Sequence, residues 1–410
     1  MKPYLTLDDL KLDGATVLLR LDINSPIVDG HVQGRDRIEA SAETVTALAG
    51  RGARTVVIAH QGRKGGDDFT STREHAEIIA NVAKAPVSFV PDVAGSRALE
   101  AIKGLRKGEA VVLENVRGHD DENRKGTPAA LAELPLIRTL AAQAEYFVND
   151  GFSVAHRPQA TIVAFPELLP SAAGLTMDRE LTALAQAVDA PEEPLVYVLG
   201  GAKPEDSIAV MKSNLASGKL SAALLGGLVG ELFLVARGHE LGPATKEVLQ
   251  RKKVLDLLPQ ARDLLDAYDD AIYTPEDVAV KGASGVREEL WIDDLPAKGV
   301  VLDIGRETMA TYREIVVEAG SLMMNGPMGF YEEAPFDEGT RALLGAFAET
   351  DAFSLMGGGH TVSAIRQFGH AFDEFGYVSL AGGALMAYLT GEELPGVAAL
   401  KRSAARVRGG

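Results

Sequence analysis

The sequence predicts an α/β protein of two doubly wound, Rossmann-like parallel sheets. Short runs of Val, Leu and Ile alternate with stretches of helical periodicity along the whole chain. The 410 residues exceed the usual size of one compact domain, about 100–200 residues. The apolar runs end in polar or glycine-rich clusters rather than in ordinary turns, and ligands of open α/β sheets sit at the carboxyl ends of the strands.

In order, TVLLR runs into Leu21, Asp22, Ile23 and Asn24, and RTVVIA into His60, Gln61, Gly62 and Arg63. AVVLEN ends at Val116 and Arg117, LVYVL at Gly200, Gly201, Ala202 and Lys203, and AALL at Gly226 and Gly227. SLMM leads to Asn325, Gly326, Pro327, Met328 and Gly329, and AFSLM to Gly357, Gly358, Gly359, His360 and Thr361. Helices are expected over 37–50, where Ile38, Val45 and Leu48 form one stripe, and over 72–82, 127–144, 205–216 and 245–268.

Pro166 and Pro170 on one side, and Pro191 and Pro194 on the other, isolate a stretch in which Leu181, Leu184, Ala185 and Val188 follow i, i+3, i+4, i+7 spacing. This reads as a helix joining two domains. The expected organisation is a first domain over 1–171, an interdomain helix over 172–190, a second domain over 191–378 and a terminal segment over 379–410. In that segment LPGVAAL is apolar and should pack, whereas KRSAARVRGG is expected to fray.

The charge balance, 58 acidic against 41 basic residues, repels nucleic acid phosphates and anionic membranes, so neither partner is expected. The absence of cysteine excludes disulfides, thiolate nucleophiles and Cys-ligated metals. The opening MKPYLTLDDLKLDG has no apolar h-region. The most apolar stretch, 221–236, is short for a membrane span and contains Glu231, so the cytoplasm is the expected compartment.

Two anion sites are expected. Arg20, Asp22, Asn24, Arg37, His60, Arg63, Arg117, His156 and Arg157 form the first group. Arg offers a planar fork of donors to phosphate or carboxylate, and several at one sheet edge suit a small, multiply charged anion. Asp22 and Asn24, two apart on a strand, face one side and could orient a hydroxyl. The second group combines LGGAK ending at Lys203, the pair Gly226 and Gly227, NGPMGFYE with Asn325, Pro327 and Glu332, and MGGGHT with Gly357 to Gly359, His360 and Thr361. Glycines between a strand and a helix let the backbone approach phosphate, and the helix start supplies amides. Glu332 could accept from ribose hydroxyls. Walker A, GxGxxG, HRD and DFG motifs are absent, so any phosphoryl chemistry uses other machinery.

At these residues the chain resembles the phosphoglycerate kinases. LLRLDINSPI, AHQGR, ENVR, FVNDGFSVAHR, LGGAK, NGPMG, GGG and ELPGVAAL match that family's motifs in order over nearly the whole length. The resemblance implies a two-domain hinge enzyme of the cytoplasm that transfers phosphate between ATP and the carboxylate of 3-phosphoglycerate. It implies magnesium with ATP or ADP, and a terminal segment that returns to the first domain. By similarity, Asp22, Asn24, Arg37, His60, Arg63, Arg117, His156 and Arg157 hold phosphoglycerate, with Arg20 beside them. Gly201, Lys203, Gly226, Gly227, Asn325, Pro327, Glu332, Gly357 to Gly359, His360 and Thr361 hold nucleotide, and Arg37, Lys203 and Gly358 act on the transferring phosphoryl group. Two positions depart from the family's pattern. Ser207 stands where a second Lys is usual and His360 where an Asp helps hold magnesium, which resembles archaeal members and leaves the metal ligands unassigned. A homologue that binds without transferring, and a kinase for another carboxylate, are the competing readings. A dehydrogenase fits only the α/β pattern. Monomer and homodimer both remain open.

Overall fold

The computed structural model describes residues 2–409. The chain divides into two compact units, Met1–Leu181 with Glu393–Gly410, and Thr182–Glu392.

The first unit contains β1 (Thr16–Arg20), a small antiparallel hairpin of β2 (Ile27–Val28) and β3 (His31–Val32), and then β4 (Arg54–Ile58), β5 (Val87–Val90), β6 (Ala110–Leu113), β7 (Tyr146–Asn149) and β8 (Ser171–Ala173). Six of these strands form one sheet in the order β5-β6-β4-β1-β7-β8, parallel throughout. β1 is buried along its whole length because helices cover both faces, and alternate residues serve different cores. Leu18 joins Val56, Ile58 and Phe147 on one face, while Val17 and Leu19 join Ile38, Val45 and Val57 on the other. The chain lays β4, β5 and β6 on one side of β1, then returns to place β7 and β8 on the other. That reversal is where doubly wound sheets open a crevice.

The second unit contains β9 (Leu195–Leu199), β10 (Ala222–Leu225), β11 (Ile272–Tyr273), β12 (Asp277–Lys281), β13 (Arg287–Trp291), β14 (Val300–Ile304), β15 (Ser321–Asn325), β16 (Phe353–Gly357) and β17 (Tyr377–Val378). Its main sheet runs β11-β10-β9-β15-β16-β17, also parallel, and reverses between β9 and β15. The α/β class with two parallel sheets is as the sequence predicts. The antiparallel sheet β13-β12-β14 is an addition that the parallel reading omits.

Three local expectations are corrected. The stretch 127–144 forms two short helices, Pro128–Ala132 and Pro135–Ala141, because Pro135 has no N–H to continue the first. The stretch 245–268 breaks after Pro243–Arg251 at Lys253, whose φ of 58° is left-handed, and resumes in Leu258–Tyr268. The basic tail is helical as far as Gly409 rather than frayed, and Gly410 lies outside the described residues. It is part of the helix Pro395–Gly409, which buries Ser403 and Ala404, and Ser171 N–H donates to Ser403 Oγ at 3.0 Å. Within 172–190 lie the helix Leu175–Leu184 and a wider-wound turn, Ala185–Asp189, and the division between the units falls inside that helix.

Candidate active site

In the first unit, the carboxyl ends of β1, β4, β6 and β7 bring the expected residues to one edge. Asp22, just past β1, is buried, and its Oδ2 lies 3.4 Å from Arg37 Nη1, which comes from the helix Asp36–Gly50. Arg37 also points Nη1 at the Asn24 carbonyl, 3.4 Å away. Asp22 Oδ1 is 4.0 Å from His60 Nε2, and Ser153, which sequence reasoning missed, donates to Asp22 Oδ2. Burial alone would raise the Asp22 carboxyl, but the Arg37 charge and the hydrogen bonds from Ser153 and the Asn24 amide hold the group below the usual range. Asn24 Oδ1 accepts from Gly62 N–H at 2.7 Å and so fixes the turn that carries Arg63, an exposed residue.

Arg117 is 5% exposed, its Nη1 donates to the Gly62 carbonyl, and its buried Nη2 has no partner. A buried guanidinium nitrogen with an unused donor is a costly feature that an anion would satisfy. Burial, with Arg157 and Arg20 nearby, lowers this guanidinium to about 10. His156 and Arg157 are half-buried, and Arg157 Nε donates to His156 Nε2 at 3.2 Å.

Arg20 behaves differently from the other arginines. It is fully buried, with Nε donating to Thr161 Oγ1 at 3.0 Å, Nη1 to the Leu21 carbonyl, and Nη2 against His60 Nδ1 at 2.9 Å. It therefore lies beneath the site rather than on its surface, a correction to the expectation of an anion-gripping residue. Thr161 and Glu122, also missed, complete this layer: Thr161 N–H and Oγ1 each donate to Glu122 at 2.9 Å. Nothing in the sequence could flag them, since they sit in short helices, Asp120–Asn123 and Ala160–Val163, away from the strand ends. Asn115, inside the ENVR motif, ties this edge together by donating to the carbonyls of Gln61 and Thr70 at 2.7 and 2.8 Å.

In the second unit, the glycine clusters meet at the edge of β9, β10, β15 and β16. Most of their amides are already spent. Gly200 N–H donates to the Asn325 carbonyl at 3.0 Å, Gly201 to Pro327 at 2.7 Å, Gly226 to Leu199 at 3.0 Å and Gly227 to Met328 at 2.6 Å. Gly227 is glycine for a steric reason: a Cβ there would sit 2.9 Å from Gly201 N. These bonds make the loops a floor rather than a phosphate cradle. The cradle narrows to the start of the helix Gly359–Gln367, whose first-turn N–H groups on Gly359, His360 and Thr361 have no intrahelical acceptor. Gly358 caps it at φ 85°, and a Cβ there would meet Asn325 Oδ1 at 2.5 Å.

Around that cradle, Lys203 is exposed just before the helix Pro204–Ala216, and Glu332 and His360 are exposed with Glu332 Oε1 3.7 Å from His360 Nδ1. Tyr331 Oη approaches the same Nδ1 at 3.3 Å. Ser207 is buried with an unpartnered Oγ, so it does not stand in for a phosphate-binding lysine. Among the described residues no group of three or more His, Cys, Asp or Glu is placed to hold a metal ion.

A doubly wound unit with an arginine-lined anion site, and another with a helix start framed by glycines, define a protein that handles two small polyanions. The sequence model of the phosphoglycerate kinases matches residues 7–392, and the chain belongs to that family. It is 42% identical over 395 residues to the phosphoglycerate kinase of Methanopyrus kandleri, covering 96% of this chain and 97% of that one. It is also 42% identical over 409 residues to the enzyme of Halorubrum lacusprofundi, covering 99% and 100%. Among solved structures, phosphoglycerate kinase from Pyrococcus horikoshii OT3 matches with a TM-score of 0.87 at 35% identity, covering 97% of this chain and 99% of that one. The enzyme of Coxiella burnetii matches at 0.84 and 29% identity, covering 98% and 100%.

Proposed function

We propose that the chain is an active kinase that moves a phosphoryl group reversibly between ATP and the carboxylate of 3-phosphoglycerate, giving 1,3-bisphosphoglycerate and ADP. The first unit holds phosphoglycerate through Arg37, Arg63, Arg117, His156, Arg157 and His60, with Asp22 and Asn24 organising them. The second holds the nucleotide at the helix start Gly358 to Thr361, with Lys203, Asn325, Pro327 and Glu332 around it and Gly201, Gly226, Gly227 and Gly357 as its floor. The observation that carries the reading is the buried, unpartnered Nη2 of Arg117, which an anionic substrate would complete.

Both substrates are polyanions, and the reacting carboxylate and γ-phosphate repel. The chemistry needs no covalent intermediate, only alignment and neutralisation of charge. Arg37 and Lys203 supply that charge, and the amides at Gly359, His360 and Thr361 face phosphate oxygens. Magnesium enters as part of the nucleotide substrate, on its phosphates, which matches the ion's habit of keeping few protein ligands. Because each substrate belongs to a different unit, transfer in line requires closure about the 172–190 segment. Small-angle scattering that shows no added compaction with both ligands would count against this closure. The cytoplasm is the compartment in which such a reaction would run.

The deciding assay follows 3-phosphoglycerate-dependent ATP use with magnesium, drawing off product with glyceraldehyde-3-phosphate dehydrogenase and recording loss of NADH. Fast loss that needs both substrates is expected. No turnover with both ligands still bound would overturn the reading.

A further inference from the structure

Beneath the phosphoglycerate site runs an unbroken chain of buried polar contacts: Glu122 to Thr161, Thr161 to Arg20, Arg20 to His60. We infer that Arg20 is a positioning residue that fixes His60 in one neutral tautomer, with its proton on Nε2, so that His60 serves the substrate as an uncharged donor.

The argument is one of donor and acceptor inventory. A guanidinium has only N–H groups and cannot accept. Arg20 Nη2 stands 2.9 Å from His60 Nδ1, so Nδ1 must supply a lone pair. A neutral imidazole with its lone pair on Nδ1 carries its hydrogen on Nε2. A doubly protonated ring would turn an N–H against an N–H at that distance. The arrangement therefore excludes the imidazolium as well as the other tautomer.

Arg20 is itself held in place. Its Nε donates to Thr161 Oγ1, and the same hydroxyl donates onward to Glu122 Oε1, so the hydroxyl is used once as acceptor and once as donor. Glu122 is fully buried, and burial outweighs Arg20 and the Thr161 bonds to raise its carboxyl; its two oxygens accept from the Thr161 amide and hydroxyl and so fix that hydroxyl toward Arg20. The charged groups that face His60 are Arg20 and Asp22 from β1 and its extension, Arg117 from the turn after β6, and Arg157 from the segment after β7. Three of these four are cations. Burial and then Arg20 push the His60 imidazole well below its ordinary range, in agreement with the geometry. Only Asp22, with Oδ1 4.0 Å from Nε2, favours the charged ring, and it faces the nitrogen that already carries hydrogen.

The inference deepens the proposed phosphoglycerate site and rests on it only for what Nε2–H meets. Its test does not. Two-bond 1H–15N spectra of the uniformly labelled full chain, with His60 assigned by His60→Asn, should show Nδ1 unprotonated and Nε2 protonated, unchanged from about pH 5.5 to 8. A protonated Nδ1, or a ring that titrates near its ordinary value of about 6.5, would overturn the inference. Arg20→Met should release the ring, giving mixed tautomers and an inflection at higher pH than in wild type in both the spectra and kcat/KM for 3-phosphoglycerate, with burial, Arg117 and Arg157 still holding it below the ordinary value. Arg20→Lys, which keeps a buried donor, should restore the single tautomer. If Arg20→Met does not fold, the wild-type spectra alone decide. A correct tautomer in a chain that does not bind 3-phosphoglycerate would leave the inference standing and refute the substrate assignment.

Discussion

The Thr361 hydroxyl accepts a hydrogen bond from the Gly326 amide at 2.8 Å, joining the Asn325–Gly329 loop to the first turn of the helix Gly359–Gln367. Thr361 is fully buried, so this contact sets where that helix begins relative to β15. Thr361→Val keeps the shape and removes the acceptor. It should weaken nucleotide binding by about tenfold, from a misplaced helix start and an orphaned amide, while leaving affinity for 3-phosphoglycerate unchanged. Calorimetric titration of each ligand separately measures both halves, and equal losses for the two would refute a local role.

Arg37 Nη1 lies 3.4 Å from Asp22 Oδ2 and 3.4 Å from the Asn24 carbonyl, which places this guanidinium at the edge beyond β1. Arg37→Ala should lower kcat on the order of 10³-fold with an unchanged circular dichroism spectrum, as expected for an arginine that stabilises a phosphoryl transition state. Turnover within a few-fold of wild type would remove Arg37 from the chemistry.

Arg117→Lys keeps the charge but loses the fork. With one nitrogen bound to the Gly62 carbonyl and the other offered to substrate, a single ammonium cannot serve both. Affinity for 3-phosphoglycerate should fall by roughly 10–100-fold, the value of a charge-assisted bond. Nucleotide affinity is the control, and an unaltered 3-phosphoglycerate constant would contradict the assignment.

Glu231 lies on the helix Gly227–Ala236, is 7% exposed, and has an unpartnered Oε2. Burial pushes its carboxyl up to about 8. The folded group is thus neutral where the unfolded one is ionised, so its contribution is complete below the unfolded value and is lost as pH rises towards 8. Glu231→Gln should raise the melting temperature at pH 8 more than at pH 5. A uniform shift, or none, would show that the carboxyl finds a partner in solution.

His75 gives the opposite sign. It is buried, its Nε2 faces Gln61 Oε1 at 3.0 Å, and burial lowers its pKa to about 4. The unfolded imidazole takes up a proton first, so stability present above about pH 6.5 is lost as pH falls towards 4. Denaturant melts of wild type and His75→Gln across that window should converge at the acid end. Parallel curves would show that His75 does not govern the acid limb.

The primary structure by itself determined the strands and where they stop. TVLLR, LVYVL and SLMM are short runs with an apolar centre that only a sheet covered on both faces can bury, and each is followed by polar or glycine residues. That local rule was enough to place Asp22, His60, Arg117, Lys203 and Gly358 at two sheet edges. Tertiary structure alone decided what each group does there. Arg20 and Arg37 look alike in sequence, yet packing turns one into the core against Thr161 and His60 and leaves the other at the edge. The amides of Gly200 and Gly226 look free until the loops after β9, β10 and β15 fold onto one another and consume them. Glu122 and Thr161 lie 39 residues apart and carry no local signal. Donor and acceptor pairing across such separations depends on distances between strands, which hydrophobic periodicity does not encode.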